Sequence, residues 1–96
     1  MVDTYILKKS NRKNKKYVII MGKIKINFGD DRYEDYTIHK NIDRKNRYIL
    51  RTKKQPQNDI NSPAFWSLNL LWNKPTLKNS IKDVEEKFNI KILNKT

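Results

Sequence analysis

Tyr17-Val18-Ile19-Ile20-Met21-Gly22-Lys23-Ile24-Lys25-Ile26-Asn27-Phe28, residues 17–28, decides the fold. β-branched Val18, Ile19 and Ile20 make a strand-prone run that Gly22 breaks. Lys23 to Phe28 then alternates polar and apolar, which places Ile24, Ile26 and Phe28 on a buried sheet face and Lys23 and Lys25 in water. Upstream, Thr4 to Lys8 is β-prone, and Ser10-Asn11-Arg12-Lys13-Asn14 is a polar turn joining it to residues 17–21. Gly29-Asp30-Asp31 closes the unit, and Tyr33-Glu34-Asp35-Tyr36 leads out of it. Residues 1–28 therefore predict a basic antiparallel meander of about three strands.

Beyond the meander the hydrophobic period changes. Asn41 to Thr52 reads as a helix with Asp43 in its first turn, where a negative charge suits the dipole. Ile38, Ile42, Ile49 and one of Tyr48 or Leu50 are expected to face inward, with Arg44, Lys45, Arg47 and Arg51 outward. Lys53 to Asp59 is a polar loop. Ser62-Pro63 is a strong helix start, since Ser caps free amides and Pro tolerates the first helical position. The helix from Pro63 to about Trp72 carries Phe65, Trp66, Leu68, Leu70, Leu71 and Trp72 and is expected to be central, with both Trp in the core. Pro75 stops it and Thr76 caps the next, in which Leu77, Ile81, Val84 and Phe88 recur at helical spacing. Asn89 suits a left-handed cap, and Ile90-Lys91-Ile92 suits a short edge strand. The predicted architecture is one α+β domain over residues 1–96, the meander followed by about three helices packed on one face. Its parts are the meander at 1–28, a basic helix within 37–54 and a Trp-rich helical corner at 62–92.

Composition narrows the function classes. With 96 residues, 36% hydrophobic and 33% charged, the chain can hold one modest core. There is no cysteine, so disulfides and thiolate metal sites are excluded. The longest apolar runs fall far short of the about 20 residues that span a bilayer, and Met1-Val2-Asp3-Thr4 lacks the layout of a signal peptide. Neither membrane insertion nor secretion is expected. Abundant Asn, Lys and Ile are what an AT-rich genome favours, so the clustering of charge carries more weight than its sum.

That clustering is pronounced. The net charge is +12. Residues 1–28 hold eight Lys or Arg against one Asp, and residues 37–54 seven against one, while residues 29–36 hold four acids against Arg32. Concentrated positive charge repels itself in a compact fold and points to a polyanion. The candidate nucleic-acid-binding residues are Lys8, Lys9, Arg12, Lys13, Lys15 and Lys16 of the hairpin, and Lys40, Arg44, Lys45, Arg47 and Arg51 of the helix. Arg can clamp a phosphate with two parallel hydrogen bonds while Lys acts as a point charge. Tyr17, Tyr33, Tyr36 and Tyr48 offer rings for base stacking or for packing.

Catalytic signals are weak. His39 is the sole His and, without Cys, cannot form a typical zinc site. Asp30, Asp31, Glu34 and Asp35 are contiguous, whereas nuclease metal sites draw carboxylates from separate segments, so a solvated loop pairing with the basic surface is the simpler expectation. No P-loop, nucleophile elbow or HExxH pattern occurs. No cofactor, metal or catalytic residue is expected.

From Phe65 to Leu77, Phe-Trp-Ser-Leu-Asn-Leu-Leu-Trp-Asn-Lys-Pro-Thr-Leu, and through Ser80-Ile81-Lys82-Asp83, the chain resembles a family of small basic proteins of mimivirus-like giant viruses, with relatives in tailed phages. Asp35 to Lys40 and Arg44 to Tyr48 reinforce the likeness, which covers residues 5 to 92. The resemblance implies a viral protein, in the virion or the virus factory of the host cytoplasm, and brings no established activity. The leading expectation is sequence-tolerant nucleic-acid binding, to DNA before RNA, in genome packaging. The rivals are a structural or interaction protein of the virion or virus factory that docks an acidic protein partner, such as a viral one, and a small metal-dependent nuclease using His39 and the acidic run. Sequence sets no oligomeric state.

Overall fold

The computed structural model describes residues 2–96; Met1, which the expected 1–28 segment includes, lies outside them. Strands β1 (Thr4–Lys9), β2 (Lys15–Met21) and β3 (Ile24–Asp30) form the expected antiparallel meander. Gly22, at φ +60, makes the tight turn between the last two. A fourth strand, β4 (Lys91–Asn94), lies parallel to β1, with Tyr5 opposite Ile92, so the sheet order is β3-β2-β1-β4. The edge strand foreseen at residues 90–92 thus closes a mixed sheet.

Register explains which face is dry. Leu7 opposes Ile19, Ile19 opposes Ile26, and Tyr17 opposes Phe28, so these side chains share one face. Leu7, Ile19, Ile26 and Phe28 are buried there with Tyr5 and Ile92. The other face presents Ile6, Lys8, Val18, Ile20, Lys25 and Asn27, half-buried or exposed.

Helical segments cover the dry face. α1 (Tyr36–His39) and α2 (Ile42–Thr52) are followed by α3 (Pro63–Trp66), which continues as a π-helical turn over Ser67–Leu71, and by α4 (Leu77–Phe88). The expected caps are in place: Ser62 accepts from Ala64 N, Thr76 from Asn79 N, and Asn89 is left-handed. α1 was not foreseen. The short helix arises because buried Asp35 caps it, accepting from Thr37 N at 2.9 Å.

Phe65, Trp66, Leu70 and Leu71 form the centre of the core with Ile81, Val84 and Ile90. Trp66 is fully buried, sits 5.3 Å from the Tyr5 ring and donates its indole N–H to the Ile60 carbonyl at 2.8 Å, satisfying its one polar group. Gly29, at φ +79, is required where the π-turn meets β3. A Cβ there would stand 2.7 Å from Leu71 Cδ1.

Four packing expectations need correction, the first at the start of β3, where Ile24 is 41% exposed. α2 turns Lys45, Tyr48, Ile49 and Thr52 inward, while Ile38, Ile42 and Leu50 are exposed by half or more. Its inner stripe is polar and aromatic because it docks on a backbone corner and on Trp72 rather than on aliphatic core. Trp72 itself is half-buried, stacked on Tyr48 with centroids 4.2 Å apart and planes 4° from parallel. In α4, Phe88 is 39% exposed and reaches the core through Phe65, 5.0 Å away, while Ser80 takes a buried place on the stripe.

Candidate nucleic-acid interface

The Asn73-Lys74-Pro75 corner shows why the Trp motif has its sequence. Asn73 donates its side-chain amide to Asp83 at 2.7 Å, and Lys74 N donates to the buried Ser80 hydroxyl at 3.0 Å. The hydrogen bond from Asn73 holds the Asp83 carboxyl below the usual carboxylate range. Two lysines arrive from the other side. Lys45 Nζ donates to the Asn73 carbonyl and Lys40 Nζ to the Pro75 carbonyl, each at 2.6 Å. Lys45 also lies 5.0 Å over the Tyr36 ring, and burial together with nearby Lys74 pushes its ammonium down from the usual lysine value.

Those two lysines therefore tie α1 and α2 to the corner. Both were expected on the phosphate-binding surface, and both are already engaged: a carbonyl that takes a charge-assisted hydrogen bond competes with any phosphate for the same ammonium. Lys16 is engaged more firmly still. Its Nζ sits 2.5 Å from Asp35 Oδ2, the two side chains being 12% and 3% exposed. Lys16, Lys40 and Lys45 leave the set of free cations.

The remaining candidates fall into two groups. Arg44, Arg47 and Arg51, at spacings of three and four, form one exposed stripe of α2. They line a cleft of about 560 Å³ with Tyr33, Glu34 and Trp72. An inner cleft of about 370 Å³ shares Tyr33, Glu34, Arg51 and Trp72 and extends to Lys15, Lys16, Asp30 and Gln55. The Tyr48–Trp72 stack lies in its wall, and the Arg51 guanidinium stands 5.9 Å over the Tyr48 ring. Burial raises the Tyr48 hydroxyl pKa, and the ring is packed on Trp72.

Lys8, Lys9 and Arg12 line a separate groove of about 370 Å³ on the outer sheet face, with Val18, Ile20, Lys25 and Asn27. Lys13 is exposed in the β1–β2 turn, and Lys15 is exposed beside the inner cleft. Lys8, Lys9 and Arg12 thus form a basic surface apart from the arginine stripe, while Lys15 shares the inner cleft with Arg51.

Sequence reasoning passed over Lys25, although the alternation that put it in water was the available signal. It did not single out Tyr33 from four tyrosines, because ring packing depends on the tertiary fold. Tyr17 packs on Phe28 at 6.0 Å and Tyr36 on His39 at 6.2 Å, whereas Tyr33 is 68% exposed.

The acidic run is dispersed among cations. Asp30 receives Arg32 through Nε at 3.0 Å and Nη2 at 2.8 Å, which holds its carboxyl down at about 2. Glu34 is 3.8 Å from Arg44 at the surface, and Asp35 is buried against Lys16, not solvated. Among the described residues no group of three or more His, Asp or Glu is placed to hold a metal ion. His39 accepts from Asn41 N through Nδ1 at 2.9 Å and packs 5.3 Å from Trp72, with Nε2 buried and unpartnered. Burial and the Arg44 charge lower its pKa. No carboxylate hydrogen-bonds it among the described residues. No helix among them is long and apolar enough to cross a membrane.

The fold and site together define a small α+β domain with an arginine-lined cleft beside a mixed four-stranded sheet. The chain belongs to a family of unknown function (DUF5754), whose match runs over residues 5–52, from β1 through α2. That span holds both basic surfaces and ends before the Trp corner. Comparison with curated proteins and with solved structures gives no match.

Proposed function

We propose that the protein binds nucleic acid through its phosphates and without regard to sequence. The observation that carries this reading is the stripe Arg44, Arg47 and Arg51, three exposed arginines on one helix face, none held by a close ion pair among the described residues. Arg44 has only the 3.8 Å surface contact with Glu34, the kind of pair worth at most about 1 kcal/mol and readily exchanged for a phosphate. The outer groove with Lys8, Lys9, Arg12 and Lys25 adds a second, smaller contact for backbone charge. Packing of a viral genome, with DNA as the target, is the setting that the resemblance to giant-virus proteins suggests.

The test is a salt series. Each phosphate engaged on duplex DNA contributes a slope of about −0.9 to log affinity against log salt. Engagement of about six phosphates gives about −5, and scrambled sequences bind alike. A slope near zero removes the reading.

A second reading has one observation in its favour. The outer sheet face places Ile6, Val18, Ile20 and Leu93 among Lys8, Lys25 and Lys91, an apolar centre with a basic rim that suits an acidic protein partner. Substitution of Ile20 and Leu93 with Ser separates the two. It weakens protein capture and leaves DNA binding at the arginine stripe in place.

A further inference from the structure

Of the ten Phe, Tyr and Trp residues, nine pack against another aromatic ring, with His39 counted as a ring; Tyr33 is the exception. It is 68% exposed, the most exposed of the large hydrophobic side chains among the described residues. Its position is nonetheless defined. Tyr33 N donates to the Asp30 carbonyl at 3.2 Å, and the Arg32 guanidinium closes the same turn on the Asp30 carboxylate. This turn holds an unstacked ring at the cleft of Arg44, Arg47 and Arg51.

We infer that this cleft takes one unpaired nucleotide of a nucleic-acid strand, its base on the Tyr33 ring and its phosphate on the arginine stripe, and so selects unpaired strands over duplex. The inference rests on the nucleic-acid reading above and deepens it.

Three features agree. The cleft, about 560 Å³, falls in the range that accommodates small organic ligands, about 300–1,000 Å³. Its opposed chemistry suits a nucleotide: guanidinium groups on the α2 side for the phosphate, an aromatic face and the Glu34 carboxylate on the other for the base and its amino groups. A duplex offers neither group to Tyr33 and Glu34, because its bases are stacked inside.

The experiment uses the full chain and two fluorescein-labelled probes of mixed sequence, a single strand of about 12 nucleotides and a duplex of equal length, read by anisotropy at low salt. Stacking of one base is worth about 1–3 kcal/mol, so the single strand binds at least about fivefold more tightly. Tyr33→Ala brings single-strand affinity down to the duplex value, Tyr33→Phe keeps the excess, and Lys82→Gln on α4 changes neither. Equal affinity of the parent for both probes, or a Tyr33→Ala protein that retains the excess, overturns the inference while the nucleic-acid reading stands. Absence of binding to either probe at low salt overturns both.

Discussion

Lys16 and Asp35 provide the sharpest separation of a structural cation from a binding one. Asp35 is 2% exposed and takes three donors: Lys16 Nζ at 2.5 Å, Thr37 N at 2.9 Å and the Thr37 hydroxyl. Asp35→Ala leaves the Lys16 ammonium largely buried without its counter-charge, a loss of about 3–5 kcal/mol when a buried pair is broken. The same change removes the α1 cap, worth about 1 kcal/mol. Lys16→Met costs less, about 3 kcal/mol, because Asp35 keeps both Thr37 donors. A domain of this size has about 5–15 kcal/mol in total, so Asp35→Ala removes about a quarter or more of it and lowers Tm by about 20 °C.

Urea melts of the parent, both single variants and the double variant close a thermodynamic cycle. The expected coupling is about 2–3 kcal/mol, the upper part of the range for contacting residues. Lys16→Met, measured where it remains folded, should keep the parent's salt slope for DNA. Coupling below about 0.5 kcal/mol, or a slope that falls with Lys16→Met, would return Lys16 to the basic surface and refute the assignment.

The His39 imidazole is held neutral, since Nδ1 accepts a backbone N–H and burial and Arg44 depress its pKa. Its folded pKa lies below the unfolded one, about 6.5, so its contribution is fully present above that pH, is lost as pH falls through it, and is gone below the folded value. Urea midpoints should drop as pH falls through about 6.5, and His39→Gln should flatten that drop. An unchanged drop in the variant would place its origin elsewhere. Trp72→Ala removes the face on which Tyr48 stacks and should cost about 3 kcal/mol, the low end for Trp truncation because the ring is half-exposed. A denaturant melt within about 1 kcal/mol of the parent would show that the stack does not hold α2 in place.

Much of the fold was legible because its signals are local. The alternation at 23–28, the caps at Ser62, Thr76 and Asn89, and the Leu77, Ile81, Val84 stripe each follow from backbone geometry within a few residues. What escaped depends on partners far apart in sequence. Residue types on α2 suggest that Ile42 and Leu50 face inward, yet the helix docks through Lys45 on the Asn73 carbonyl and Tyr48 on Trp72, contacts separated by more than 20 residues. Charge counts could not separate free cations from engaged ones for the same reason. Lys16, Lys40 and Lys45 look like their neighbours until Asp35 and the Asn73 and Pro75 carbonyls are brought to them. The hydroxyl and carboxyl of Ser80 and Asp83 make sense only once the corner they hold is seen.

The salt slope of the arginine stripe tests the nucleic-acid interface most directly. Binding to duplex DNA is measured across a salt series for the parent, for Arg44→Gln/Arg47→Gln/Arg51→Gln, and for Lys82→Gln/Lys87→Gln, with a urea melt of each. The triple arginine variant should melt like the parent and lose about 0.9 of slope for each phosphate contact removed, about 3 in all, while the α4 variant keeps the parent's slope. A triple variant with the parent's slope, or an α4 variant that loses as much, would contradict the claim that α2 carries the nucleic-acid interface.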